Sequence, residues 1–112
     1  MQKWIGLTAA IVAGAILACD GENADPQVAL AARGAVLYDT NCTACHARDP
    51  GQKGPVGPPI AGASLELLQH KVLRNEYPPG YTPQRDTRAM VPLVHLEKDL
   101  PAIQAFLQKA DS

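Results

Sequence analysis

Apolar and polar positions change rhythm several times along the chain. From Trp4 to Leu17 nearly every residue is apolar or small, and a polar stretch from Asp20 to Asp25 ends that run abruptly. A helical rhythm begins at Asp25-Pro26, since Asp caps a helix and Pro suits its first turn. Val28, Ala31, Ala32, Ala35 and Leu37 supply small or apolar positions, and the spacing predicts a helix to about Tyr38. Residues 47–63 are rich in Gly and Pro and read as loop. Ser64 is placed to cap a second helix running through Arg74, with Leu65, Leu68 and Val72 on one face. Residues 77–92 are again loop, with prolines at 78, 79, 83 and 92. Asp99-Leu100-Pro101 opens a last helix, because proline is tolerated in a first turn. Ile103, Phe106 and Leu107 give it an apolar face. No alternation of period two competes, and no internal repeat is present. The expected fold is all-α, three helices joined by long loops. Ordered loops beyond ~12–15 residues are usually functional; here they would have to wrap a cofactor.

Composition sharpens that expectation. A chain of 112 residues is one domain. Outside the first segment its only aromatic residues are Tyr38, Tyr77, Tyr81 and Phe106. A small domain already buries a limited share of its surface, so the core is thin and a bound group would fill it. The formal net charge is −1, and without Lys3 nine basic residues face eleven acidic ones, giving −2. No basic run or stripe is present, which excludes nucleic acid as the expected partner.

The N-terminal segment reads as an address. Lys3, an apolar run of 14 residues and a small residue before Cys19 fit a secretory signal. The run is shorter than the ~17–25 residues of a spanning helix. Ile16-Leu17-Ala18-Cys19 resembles the lipobox of bacterial lipoproteins. In that family the signal is cut before the cysteine, whose sulfur carries a diacylglycerol. The resemblance implies a signal peptide over 1–18, a lipidated Cys19 with a short linker to residue 25, and a folded domain over 26–110. The rivals are cleavage after Ala24, which would discard Cys19, and a short anchor that is never cut. Each buried CH₂ of an acyl chain contributes ~0.8 kcal/mol, so several chains hold firmly. Six linker residues reach about 20 Å. The folded part is therefore expected to stay near the bilayer, and its partners to lie at or in the same membrane.

Cys42-Thr43-Ala44-Cys45-His46 carries the chemistry. Cys-x-x-Cys-His reads as a c-type haem attachment site. Two thiols add to the two haem vinyl groups, so they must lie one vinyl separation apart. The adjacent histidine then falls beneath the iron. A redox disulfide is the first alternative, but that reading wants a βαβ setting. Half a zinc site is the second, but structural zinc wants four ligands. No cysteine follows Cys45, and His70 and His95 would complete the set only with irregular spacing.

With these residues in hand the chain resembles the class I c-type cytochromes over about residues 25–109. Gly34 and Tyr38 precede Cys42 by eight and four residues, as that family's glycine and aromatic do. The resemblance implies that the first helix crosses the last at Gly34, with Phe106 as the matching aromatic. Gly57-Pro58-Pro59-Ile60-Ala61-Gly62 resembles the family loop whose proline carbonyl accepts a hydrogen bond from the proximal histidine, here Pro58 to His46. Such a bond fixes the ring and raises its basicity. Met90 is the only methionine after the signal, late in a loop before the last helix, where the family places its distal ligand. The ligand set implied is His46 and Met90 on one covalent haem c. His70 and His95 compete for the sixth position. Lys71, Tyr77, Tyr81, Arg85 and Arg88 are candidates to meet the propionates. The family's frequent tryptophan there is missing, since Trp4 is the only one.

The expectation is an electron carrier rather than an enzyme, with both axial positions filled. It would face the periplasm or the outer side of the cytoplasmic membrane. Redox proteins at that membrane (a quinol-oxidising complex, a dehydrogenase or a terminal oxidase) are the expected partners. Three alternatives stand beside it: a haem subunit of a larger oxidase or dehydrogenase, a haem sensor with a labile sixth ligand, and a lipoprotein whose Cys42 and Cys45 form a disulfide.

Overall fold

The computed structural model describes Gly14, residues 25–85 and residues 88–112. Signal cleavage and lipidation at Cys19 fall outside the described residues. Helix α1 spans Pro26–Asn41, α2 spans Leu65–Arg74, and α3 spans Leu100–Asp111, directly preceded by a 3₁₀ segment over Val94–Asp99. No strand occurs among the described residues. The all-α architecture, three helices joined by long loops, is the one the sequence predicted.

The caps act as the sequence suggests. Asp25 Oδ1 accepts from the Gln27 N–H at 2.9 Å, and Ser64 Oγ accepts from the Leu67 N–H at 3.1 Å. Each satisfies one of the donors that a helix start leaves without a partner. Helix α2 stops at Asn75, which takes a left-handed conformation at φ 53°. Its N–H closes the helix onto the His70 and Lys71 carbonyls. Helix α1 runs three residues past its expected end at Tyr38, and the Cys42 N–H still reaches the Tyr38 carbonyl at 2.9 Å. The cysteine motif therefore hangs on the end of a helix.

Helices α1 and α3 cross at Gly34. A Cβ there would lie 1.8 Å from the Ala102 carbonyl oxygen and 3.0 Å from Phe106 Cβ. Only hydrogen fits in that gap. One turn on, the Tyr38 and Phe106 rings meet at a centroid distance of 5.2 Å, within the range of favourable aromatic pairs. The contact is narrow. On α1 it buries Ala31, Gly34 and Tyr38, while Val28 and Ala32, expected on the apolar side, face solvent. The core is built from Tyr38, Leu68, Val72, Leu96, Leu100, Ile103 and Leu107. Leu96 and Leu100 join it because the 3₁₀ segment wraps the chain back under α2.

Three contacts set the loops. The Gly62 N–H donates to the Leu107 carbonyl at 2.8 Å, and Gln108 Nε2 donates to the Gly62 and Ala63 carbonyls. The first long loop thus ends against α3. The Leu93 N–H donates to the Val72 carbonyl at 2.7 Å, closing the second loop on α2. Among the described residues no helix is long and apolar enough to cross a membrane.

Candidate functional site

The cysteine motif continues α1 by one tight turn. The N–H groups of Cys45 and His46 both reach the Cys42 carbonyl, at 3.2 and 2.9 Å. Thr43 Oγ1 donates to the Asp39 carbonyl at 2.6 Å and holds the turn to the helix. Winding at this pitch brings residues three apart onto one side. Cys42, Cys45 and His46 accordingly share the wall of one cavity. Both cysteines are half-buried and unpaired. Burial pushes the Cys42 thiol up to about 11. An apolar wall that disfavours a thiolate suits a neutral thioether, which carries no charge to desolvate.

His46 is held along its Nδ1 edge. Its Nδ1 lies 3.0 Å from the Pro58 carbonyl oxygen. A carbonyl only accepts, so Nδ1 carries the proton and Nε2 is left with its lone pair for a metal. The same edge of the ring presses on Gly57, where a Cβ would lie 2.4 Å from both Nδ1 and Cε1. The loop is brought there by backbone bonds. The Cys45 carbonyl accepts from Val56 at 3.2 Å and from Gly57 at 2.7 Å, and the Gly54 N–H donates to the Gly57 carbonyl at 2.9 Å.

Tyr38 fixes the other flank of the motif. Its hydroxyl donates to the Ala47 carbonyl at 2.5 Å, one residue past His46. Burial, followed by the nearby Cys42 and Asp49, pushes this phenol up to about 12. It stays protonated and keeps donating across the working range.

Met90 lines the same cavity and packs against the core. Its loop is tied on both sides: Asn75 Nδ2 donates to the Arg88 carbonyl at 3.1 Å, and Leu93 is held by Val72. The remaining wall is apolar, with Ile60, Leu68, Val72, Leu96 and Ile103 prominent. Lys71, Tyr77, Tyr81 and Arg85 border this cavity, whereas Arg88 does not. Tyr77 and Tyr81 stack at 5.3 Å with their planes 7° apart. Lys71 Nζ sits 4.3 Å from the Tyr77 ring centroid and donates to Asn75 Oδ1 at 2.7 Å, a cation–π arrangement that keeps the ammonium at the cavity border.

The competing histidines lie elsewhere. His70 Nδ1 is 3.1 Å from an Arg74 nitrogen on α2, and His95 Nε2 is 3.3 Å from Asn41 Oδ1. Neither lines the cavity. Among the described residues no three of His, Cys, Asp and Glu converge to hold a metal ion, so the zinc alternative has no ligand set there.

The structure thus brings Cys42, Cys45, His46, Pro58 and Met90 to one place, and Cys19 lies outside the described residues. It adds two residues to which sequence reasoning gave no role, Asn75 and Gln84, and gives Gly57, the first residue of the family-like loop, a contact with His46. The Asn after Arg74 is a helix-stop signal that could have been read. The bond from Gln84 to the Pro59 carbonyl left no such signal, because it joins two loops. The residues fit a covalently held haem. Two thiols stand on an apolar wall, a histidine points its free nitrogen away from Pro58, and a thioether lies on the same cavity.

Comparison with known proteins agrees with that chemistry. A family model described as Cytochrome c matches residues 31–111, more than half of the chain. Searches of curated proteins and of solved structures found no match.

Proposed function

The chain belongs to the cytochrome c family, and from that premise we propose that it carries one haem bound through Cys42 and Cys45, with His46 and Met90 as axial ligands. Family membership itself gives a covalently attached haem c and a haem-binding electron-transfer role. The finer reading rests on one observation. The motif cysteines, His46 and Met90 share one apolar cavity, with His46 Nδ1 bonded to the Pro58 carbonyl at 3.0 Å.

When bound, the haem supplies an iron that gains and loses one electron. The chain's own residues set how easily that happens. His46 donates its Nδ1 proton to Pro58, which makes Nε2 a stronger donor and favours the ferric state. The Met90 thioether is soft and neutral and favours the ferrous state. The apolar wall keeps water out and disfavours the extra positive charge of ferric iron. Gly57, Pro58 and the bonds bracketing Met90 hold both ligand loops to the helices, so little has to move as charge changes. With His46 and Met90 both holding the iron, no coordination position would be left for a substrate, which favours a carrier over an enzyme. Lys71 and Arg85 offer positive groups at the cavity border to the propionates, and charge-assisted bonds of that kind are strong. The resemblance of Ile16-Leu17-Ala18-Cys19 to a lipobox supports a lipid on Cys19, an exported chain, and redox partners at the same membrane.

The test is the visible spectrum of the haem-loaded protein beside Met90→Ala. The ferric wild type is expected to show the weak long-wavelength band of a thioether sulfur on iron, and the variant to lose it. A wild type without that band, unchanged by the substitution, would overturn His46/Met90 ligation and favour a sensor with a labile sixth ligand.

A further inference from the structure

Four successive carbonyls in the loop beside His46 each accept from a different donor. Val56 takes the Arg85 guanidinium, and Gly57 takes the Gly54 N–H at 2.9 Å. Pro58 takes His46 Nδ1 at 3.0 Å, and Pro59 takes Gln84 Nε2 at 2.9 Å. Pro58 and Pro59 have no N–H, so at these two residues the carbonyls are the only backbone polar groups that can be held. Backbone bonds fix Gly57 to Cys45 and Ile60 to Pro50 on either side of this pair, but none of them reaches the Pro58 or Pro59 carbonyl.

We propose that Gln84 and Arg85 are positioning residues for the axial histidine. By holding the Val56 carbonyl two residues before Pro58 and the Pro59 carbonyl one residue after it, they fix the stretch whose Pro58 carbonyl faces His46. The donors come from the other long loop, six and five residues before Met90, so the same pair of bonds staples the Met90 loop to the His46 loop. The Arg85 backbone is itself held, since the Tyr77 hydroxyl donates to its carbonyl at 3.3 Å. A guanidinium has five N–H donors; the bond to Val56 leaves the others for a carboxylate in the cavity. This inference rests on His46 being an iron ligand.

The experiment follows solvent exchange of the His46 Nδ1 proton by NMR in haem-loaded protein labelled with ¹⁵N. The variants are Gln84→Met, Arg85→Met, Arg85→Gln, and the double Gln84→Met/Arg85→Met. A hydrogen bond of ordinary net strength changes an opening equilibrium by roughly two- to tenfold. Exchange is therefore expected to accelerate about threefold in Gln84→Met and about tenfold or more in the double variant. Arg85→Gln keeps a donor without the charge and should exchange more slowly than Arg85→Met. The amide of Leu107, deep in α3, reports general loosening and should not change. Gln84→Met is charge-neutral and should raise the reduction potential, because a weaker bond to Pro58 leaves His46 less basic. Unchanged His46 exchange in the double variant overturns the proposal, and so does acceleration matched at Leu107. If the double variant takes up no haem, Gln84→Met decides alone by the same criteria. Wild-type His46 ring resonances left unshifted by ferric iron would instead sink the ligand reading.

Discussion

Tyr38 buries all but 1% of its surface yet carries a hydroxyl, and that hydroxyl has one partner, the Ala47 carbonyl at 2.5 Å. A buried polar group with its partner removed costs about 1–3 kcal/mol. Tyr38→Phe leaves that carbonyl without its donor, so urea unfolding of the holoprotein should show a loss of about 1–3 kcal/mol. The pH dependence has a defined sign. The folded phenol titrates near 12 and the unfolded one near 10. Above pH 10 the unfolded chain releases the proton first, so stability falls as pH rises from about 10 and levels off past about 12. Below pH 10 the contribution is fully present. The difference between wild type and Tyr38→Phe should shrink across that window. A difference constant from pH 9 to about 12 would mean that the hydroxyl is not burdened by burial.

At the scale of elements, the crossing of α1 and α3 makes Gly34 a test of which effect wins. Alanine in a helix interior is favoured over glycine by about 1 kcal/mol. Against that, the added Cβ would lie 1.8 Å from the Ala102 carbonyl oxygen, a backbone atom that cannot turn aside. Overpacking costs about 1–3 kcal/mol and more when backbone must move. Gly34→Ala should therefore destabilise the holoprotein by roughly 2 kcal/mol or more on balance, read from its thermal or urea midpoint. The damage should spread to the site, because parting the helices also parts Tyr38 from Phe106 and loosens the turn that carries Cys42. A variant as stable as wild type would show that the helices do not approach as closely as the structure has them. The ion pair Arg33–Asp99 also links α1 to the start of α3 at 2.5 Å. Its arginine is two-thirds exposed, so it is expected to add little.

For the whole molecule, the site draws on every element. Helix α1 delivers the attachment turn, the Gly/Pro loop holds His46, α2 and the second loop hold Met90, and α3 closes the bottom of the cavity. A large part of the interior is therefore wall rather than packed side chain, in keeping with so few aromatic residues. The proposed tether belongs to this scale too. Cys19→Ser should move the haem protein from the membrane fraction to the soluble fraction, with its spectrum unchanged. Equal membrane recovery of the variant would place the attachment elsewhere. The six-residue connector reaches about 20 Å, so electron exchange with membrane-bound partners should slow when the tether is cut, at equal total concentration.

Some of this was already determined by the sequence. The three helices, the caps of the first two and the attachment motif depend on neighbours in the chain, and short-range physics leaves its mark in adjacent residues. Asp25 and Ser64 cap because they precede helices, and Cys42, Cys45 and His46 share a side because one turn of chain has a fixed pitch. The place of Pro58, the Gly34 crossing and the proposed role of Met90 were legible only through resemblance to a family, since nothing local would distinguish a ligand methionine from a core one. Other features only the tertiary structure decided. Val28 and Ala32 had the right character to be buried but face solvent, because a partner pressed close at Gly34 covers only a narrow stripe. Gly57 against the imidazole, Asn75 holding the Met90 loop, and Gln84 and Arg85 on the Pro59 and Val56 carbonyls join residues 11 to 29 positions apart. Contacts across loops of that length depend on how the whole chain closes, and closure leaves no periodic trace for a sequence to display.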